Sequence, residues 1–162
     1  MIFATRLYLL YQILTRTDEI IRMVFFCMKE ADLERLQKIK THCINIQRTI
    51  QDLTADHFKS ASGVDARDVC AFRLFQIGEH CHKLSDELKT KYPDFAWGAA
   101  YRFRNVLGHD YDGVSYNAIW KSCQNDIPIL LAYVEKIIVE AARKLQNKND
   151  DAQKLEEHYD NA

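Results

Sequence analysis

Turn-forming residues are scarce: five glycines and two prolines in 162 residues, where an average protein carries about 12 % of the two together. An all-β chain needs a tight turn every 8–12 residues or so and is excluded. The five cysteines, Cys27, Cys43, Cys70, Cys81 and Cys123, are odd in number and hold no Cys-x2-Cys pair. Neither a disulfide framework nor a zinc knuckle is indicated, and buried thiols in a reducing cytosol are the expectation. The chain also lacks an excess of basic charge: its net charge is −1 and its pI about 6.6. Coating nucleic acid through overall charge needs many phosphate contacts, so any such contact must be local. Long uncharged apolar runs are missing too. In MIFATRLYLLYQILTRTDEIIRMVFFCM, the charges of Arg6, Arg16, Asp18, Glu19 and Arg22 cut every run short of the roughly 17–25 residues of a membrane span. No signal-peptide cleavage pattern follows. Residues 1–28 therefore read either as an extra amphipathic helix or as sequence upstream of a start at Met28.

What is present is helical patterning. With 48 % hydrophobic and 28 % charged residues, the chain has the makings of one globular core. Leu33, Leu36, Ile39, Cys43, Ile46, Ile50 and Leu53 step by three or four, the stripe of a first helix ending near Thr54. TADHFKSASGVD reads as a loop. Cys70, Leu74, Ile77, Cys81, Leu84 and Leu88 stripe a second helix that stops before Pro93. A third runs from about Phe95 to Gly108, with Asp94 as its cap. The last starts after Ser115 and continues to Ala141, with a kink or break expected at Pro128. The expectation is an all-α antiparallel bundle of four to five helices over residues 29–145, followed by a polar, disordered tail over 146–162.

One segment crowds polar groups among apolar ones. In YRFRNVLGHDYDG, Arg102, Arg104, Asn105, His109 and Tyr111 fall at the end of a helix otherwise made of core residues. Positions 102, 105 and 109 share a helix face. Arg104 and His109 are about 140° apart on an ideal helix, so their convergence requires the reach of Arg104 and a loosening of the helix at Gly108. An arginine fork matches phosphate oxygens, and a histidine moves protons near neutral pH. By spacing alone the pair reads equally as cations capping a helix C-terminus.

The wider text adds to that reading. RLFQIGEHCHKL (Arg73–Leu84), Trp97 ahead of RNVLGHDY (Arg104–Tyr111), and AIWKSCQNDIPIL (Ala118–Leu130) together resemble the HEPN ribonuclease toxins of HEPN/MNT toxin–antitoxin pairs, the HepT-like group. The resemblance covers roughly residues 30–142, and the signature Arg-x4-His-x-Tyr is complete as Arg104, His109 and Tyr111. It implies a cytoplasmic, metal-independent endoribonuclease without cofactor, active as a homodimer. By the same resemblance His109 is the base or acid at the ribose 2′-hydroxyl, Arg104 stabilises the phosphate, and Asn105 orients phosphate or histidine. Tyr111 is the residue to which a partner MNT nucleotidyltransferase, the antitoxin, attaches AMP. Arg102 and Glu79 are supporting candidates, Glu79 by reaching Arg104 from the neighbouring helix. The alternative is an inactive helical dimer that serves as a scaffold for the nucleotidyltransferase.

Other residues carry blander readings. His80, Cys81 and His82 point to different sides of a helix, which argues against a metal site. His42 and His57 read as solvated or boundary residues, and Trp97 and Trp120 as core. Lys89, Lys91, Arg102 and Lys121 are basic side chains on which RNA specificity would rest.

Overall fold

The computed structural model describes residues 30–109 and 115–160, with side chains described over 30–108 and 115–143. The N-terminal extension, the His109 side chain and Tyr111 thus lie outside the described residues. The chain divides into two units, Met1–Asp32 and Leu33–Ala162, the second of which holds the helical domain. Every described element in it is a helix, as the shortage of glycine and proline anticipates.

The helix α1 covers 30–50, α2 is Ala55–Lys59, α3 Val64–Lys83, α4 Asp86–Lys91, α5 Trp97–His109, α6 Tyr116–Lys121 and α7 Ile127–Asp160. The predicted stripes form the core: Leu36, Ile39, Cys43, Ile46 and Ile50 of α1 meet Cys70, Leu74, Ile77 and Cys81 of α3, with Ile119, Cys123, Ile127, Leu130, Val134 and Ile137 from the C-terminal helices. Trp97 of α5 is buried as expected, Leu107 is buried beside it in the cluster, and Trp120 packs partly buried against it. The four described cysteines are reduced and buried. Burial pushes the Cys43 and Cys81 thiols up to about 12, which leaves them protonated apolar fillers at neutral pH.

Several boundaries differ from expectation, each for a local reason. The segment read as a loop contains α2, because the Thr54 side chain accepts from the His57 amide as an N-cap and Phe58 is fully buried. The second predicted helix is two: α3 stops at Lys83, Leu84 is extended, and Ser85 caps α4 by accepting from the Leu88 amide. The start of α5 is Trp97, two residues after the expected Phe95, so Asp94 lies in the preceding turn. Its last residue is His109, so Gly108 sits inside the helix and does not loosen it. The break expected near Pro128 is a π-turn over Ser122–Asp126, in which the Ile127 amide donates to the Ser122 carbonyl five residues back. Proline rings clash with the carbonyl four residues earlier, and one wider turn relieves that clash. Finally, α7 continues to Asp160, where the sequence reading carried the helix to Ala141 and took the residues after Leu145 as a disordered tail. The stretch after Leu145 holds no glycine or proline.

Candidate active site

The packing of α3 against α5 positions the site. At their crossing sits Gly78, where an added Cβ would meet the β-carbon of Arg104 and come within 2.6 Å of the Ala100 carbonyl oxygen. Only a residue without a side chain lets the two backbones approach this closely. The neighbouring Glu79 can then reach across, and its carboxylate forms an ion pair with Arg104 Nε. On the other side, Arg104 Nη1 donates to Asn105 Oδ1 at 2.7 Å. The guanidinium lies over two rings, 4.9 Å from the centre of Phe75 and 5.6 Å from that of Tyr101. Charge partner, amide and aromatic faces together fix the fork of a side chain that is 24 % exposed.

Phe75 links this arginine to an open groove of about 390 Å³ lined by Asp68, Ala71, Phe72, Phe75, Leu107 and Gly108. The volume is within the range of small-ligand sites. Gly108 keeps the groove clear, since a Cβ there would stand 3.1 Å from the Phe75 ring. The backbone of His109 follows directly as the last residue of α5. One lining residue, Phe75, also lies under the Arg104 guanidinium, and the groove reaches the last turn of the helix that bears the histidine.

Of the predicted site residues, the structure brings Arg104, Asn105 and Glu79 together. Asn105 contacts the arginine itself. Arg102 is exposed and not part of this cluster; its guanidinium lies back over Gly98, one turn earlier on α5. Two helix positions apart, Arg102 and Arg104 point to opposite sides. His80, Cys81 and His82 diverge: His80 stacks on His42 of α1 at 5.9 Å, Cys81 is fully buried, and His82 stacks on Tyr101 at 4.0 Å. The sequence reading missed the role of Phe75 and of Gly78, although a glycine inside an otherwise helical stripe is a packing signal. His42 is a boundary residue, one of the two expected readings, half-buried and stacked against His80 of α3. Burial holds His42 below the usual histidine range, helped by the nearby charges of His80 and Arg73. Burial likewise lowers His80, with Lys38, Lys83 and Arg35 adding to the effect and Glu79 opposing it.

Comparison with known proteins places the fold. The family model described as ribonuclease HepT-like matches residues 39–137, and the chain belongs to this HepT-like family. A protein of Methanocaldococcus jannaschii whose name proposes an RNase is 30 % identical over 87 residues, 54 % of this chain and 70 % of the relative. One from Thermococcus cleftensis, assigned by name to ribonuclease HepT, is 34 % identical over 61 residues, 38 % of this chain and 56 % of the relative. A third, from Caldanaerobacter subterraneus and also named for RNase activity, is 34 % identical over 62 residues, 38 % of this chain and 55 % of the relative. The chain thus spans between about half and 70 % of the length of these relatives. No solved structure matches it. Among the described residues no helix is long and apolar enough to cross a membrane.

Proposed function

We propose that this protein is an endoribonuclease that cleaves RNA by attack of the ribose 2′-hydroxyl on the adjacent phosphate, without a metal ion. The observation that carries the reading is Arg104, held by Glu79, Asn105 and the Phe75 ring, which also lines the groove. Membership of a family described as ribonuclease HepT-like supports it. In this reaction the O2′–phosphorus bond forms and the phosphorus–O5′ bond breaks, leaving a 2′,3′-cyclic phosphate and a 5′-hydroxyl. Arg104 stabilises the charge that builds on the phosphoryl oxygens, the step at which a preorganised cation contributes most. His109 accepts the 2′-hydroxyl proton or donates one to the leaving oxygen. The need for a 2′-hydroxyl makes the substrate RNA and not DNA.

In the same reading two copies of the chain pair to form the working enzyme, and a nucleotidyltransferase antitoxin silences it. Attack of the Tyr111 hydroxyl on the α-phosphorus of ATP releases pyrophosphate and leaves AMP on the tyrosine. A phosphate attached two residues after His109 then competes with RNA by charge and bulk. The test is incubation of the full chain with RNA in EDTA, beside His109→Ala and beside protein treated with ATP and the nucleotidyltransferase. Cleavage by the untreated protein alone supports the whole scheme. Intact RNA in every lane leaves a scaffold for the nucleotidyltransferase as the better account.

A further inference from the structure

The α3 ridge that carries Glu79 has a second polar side, away from α5. There α1 and α3 face each other through Lys38 and His42 from one helix and Arg73 and His80 from the other. Positions 35, 38 and 42 share one face of α1, and 73 and 80 share one face of α3. The two imidazoles are stacked with ring centres 5.9 Å apart. His42 Nδ1 and Arg73 Nε are both buried with no hydrogen-bond partner among the described residues. Buried polar atoms without partners are uncommon in folded proteins and mark places where a ligand or water belongs. Among the described residues the charges acting on His42 are those of His80 and Arg73, while His80 faces Lys38, Lys83 and Arg35 and is favoured in its protonated form by Glu79 and Glu34. Glu79 is itself shared between Arg104 and Lys83, and Glu34 is taken up by Lys38 at 2.6 Å.

We propose that this α1–α3 face is a phosphate-binding track that holds the RNA strand to one side of the bond cut beside Arg104. The inference rests on the ribonuclease reading and extends it to how the substrate is held. Continuity supports it, because Glu79 touches Arg104 on the α5 side of α3 and acts on His80 on the α1 side, so the two cationic sites are separated only by the width of one helix. Chemistry supports it as well. Arg73 and the two rings present N–H donors to an anion, and the overall charge of −1 means that phosphate affinity must be concentrated locally. The arrangement also makes binding proton-linked. The charged groups facing the rings are Glu34, Arg35 and Lys38 on α1 and Arg73, Glu79 and Lys83 on α3. A phosphate set among them favours protonated histidines, so binding takes up protons and tightens as pH falls.

The experiment uses the full chain and a fluorescein-labelled single-stranded oligoribonucleotide, 2′-O-methylated throughout so that it binds without being cut. Affinity is read by fluorescence anisotropy as a function of salt, and an unmodified copy of the same oligonucleotide reports cleavage. His42→Gln/His80→Gln and Arg73→Met are expected to weaken binding about tenfold, to lower the salt slope by one to two phosphate contacts, and to raise KM with little change in kcat. The exposed Lys38→Glu tests the same face without touching the core. Lys59→Glu, on α2, makes the same change of charge elsewhere and is expected to leave affinity unchanged. If the wild type binds and cuts while the track variants match it, or if Lys59→Glu weakens binding as much as Lys38→Glu, the track is wrong and the ribonuclease reading stands. If the wild type neither binds nor cuts RNA, both fall together.

Discussion

Gly78 on α3 and Arg104 on α5 meet so closely that no side chain fits between them, and this contact sets the position of the candidate catalytic arginine. Gly78→Ala would gain up to about 1 kcal/mol of helix propensity. The added methyl would however strike both the Arg104 β-carbon and the Ala100 carbonyl, one of which is backbone and cannot swing aside. Overpacking of this kind costs roughly 1–3 kcal/mol. The variant is expected to unfold at lower urea concentration than the wild type and to lose RNA cleavage at conditions where it is still folded. Full activity in a folded Gly78→Ala would show that the helix spacing does not govern Arg104.

In the proposed reaction Glu79 touches no reacting atom and holds Arg104 in place, so its removal should bear on kcat more than on KM. In Glu79→Gln the side chain keeps its size but loses the charge that holds Arg104 Nε. Small misplacements of a positioned group can cost up to about a hundredfold in rate. A fall in kcat of roughly tenfold is expected, with KM little changed, because the arginine remains present and positive. Glu79→Asp, which keeps the charge on a shorter arm, should recover part of the loss. Equal effects of the two variants would indicate that the residue supports the fold and not the arginine.

How far the sequence revealed this arrangement depended on whether a feature was periodic or arose from contact between distant segments. The α1 and α3 stripes, Leu36 to Ile50 and Cys70 to Cys81, were legible because burial repeats with the helical period and each supplies one wall of the core. The pairing of Glu79 with Arg104 was legible as a possibility, since both flank the α3–α5 crossing. Two short helices were harder to see. In α2 and α4 only a handful of residues follow the cap, too few for a stripe, although Thr54 and Ser85 signal each start. The stacking of the α1–α3 histidines was not legible for another reason. His42 lies next to the fully buried Cys43, at the margin of its stripe, and only the docking of α3 supplies its ring partner His80.

Arg67 is a buried cation with a structural task. Its Nη1 donates to the carbonyls of Phe58 and Ser60, each at 2.5 Å, while its guanidinium lies 4.2 Å from the centre of the Tyr116 ring. It thereby ties the C-terminal end of α2 to α3 and to the start of α6, and α2 is too short to hold itself. Arg67→Met fills much of the same space but leaves both carbonyls without their donor. A loss of about 2–3 kcal/mol is expected from the denaturant midpoint, given the cost of a missing charge-assisted bond. Arg67→Lys should recover only part, because an ammonium cannot also lie flat on the tyrosine ring. A stable Arg67→Met would mean that water replaces the arginine at both carbonyls.

The stacked pair of His42 and His80 gives the fold a pH dependence of definite sign. Burial is the main cause holding both rings below the ordinary histidine value of 6.5, so the unfolded chain binds protons more readily than the folded one. Where that holds, stability rises with pH. The stabilisation from the neutral pair is therefore fully present above about pH 6.5 and is lost as pH falls from there through the lowered values of the folded state. Thermal unfolding between pH 5.5 and pH 7.5 isolates this window, because Glu34, whose ordinary value of 4.5 is lowered further by its bond to Lys38, stays ionised throughout. The wild type is expected to lose Tm toward pH 5.5, and His42→Gln/His80→Gln to lose distinctly less. Adding the uncleavable oligoribonucleotide should reverse the trend, since phosphate on the α1–α3 face stabilises the protonated rings. A double variant with the wild-type slope would place the acid sensitivity elsewhere in the fold.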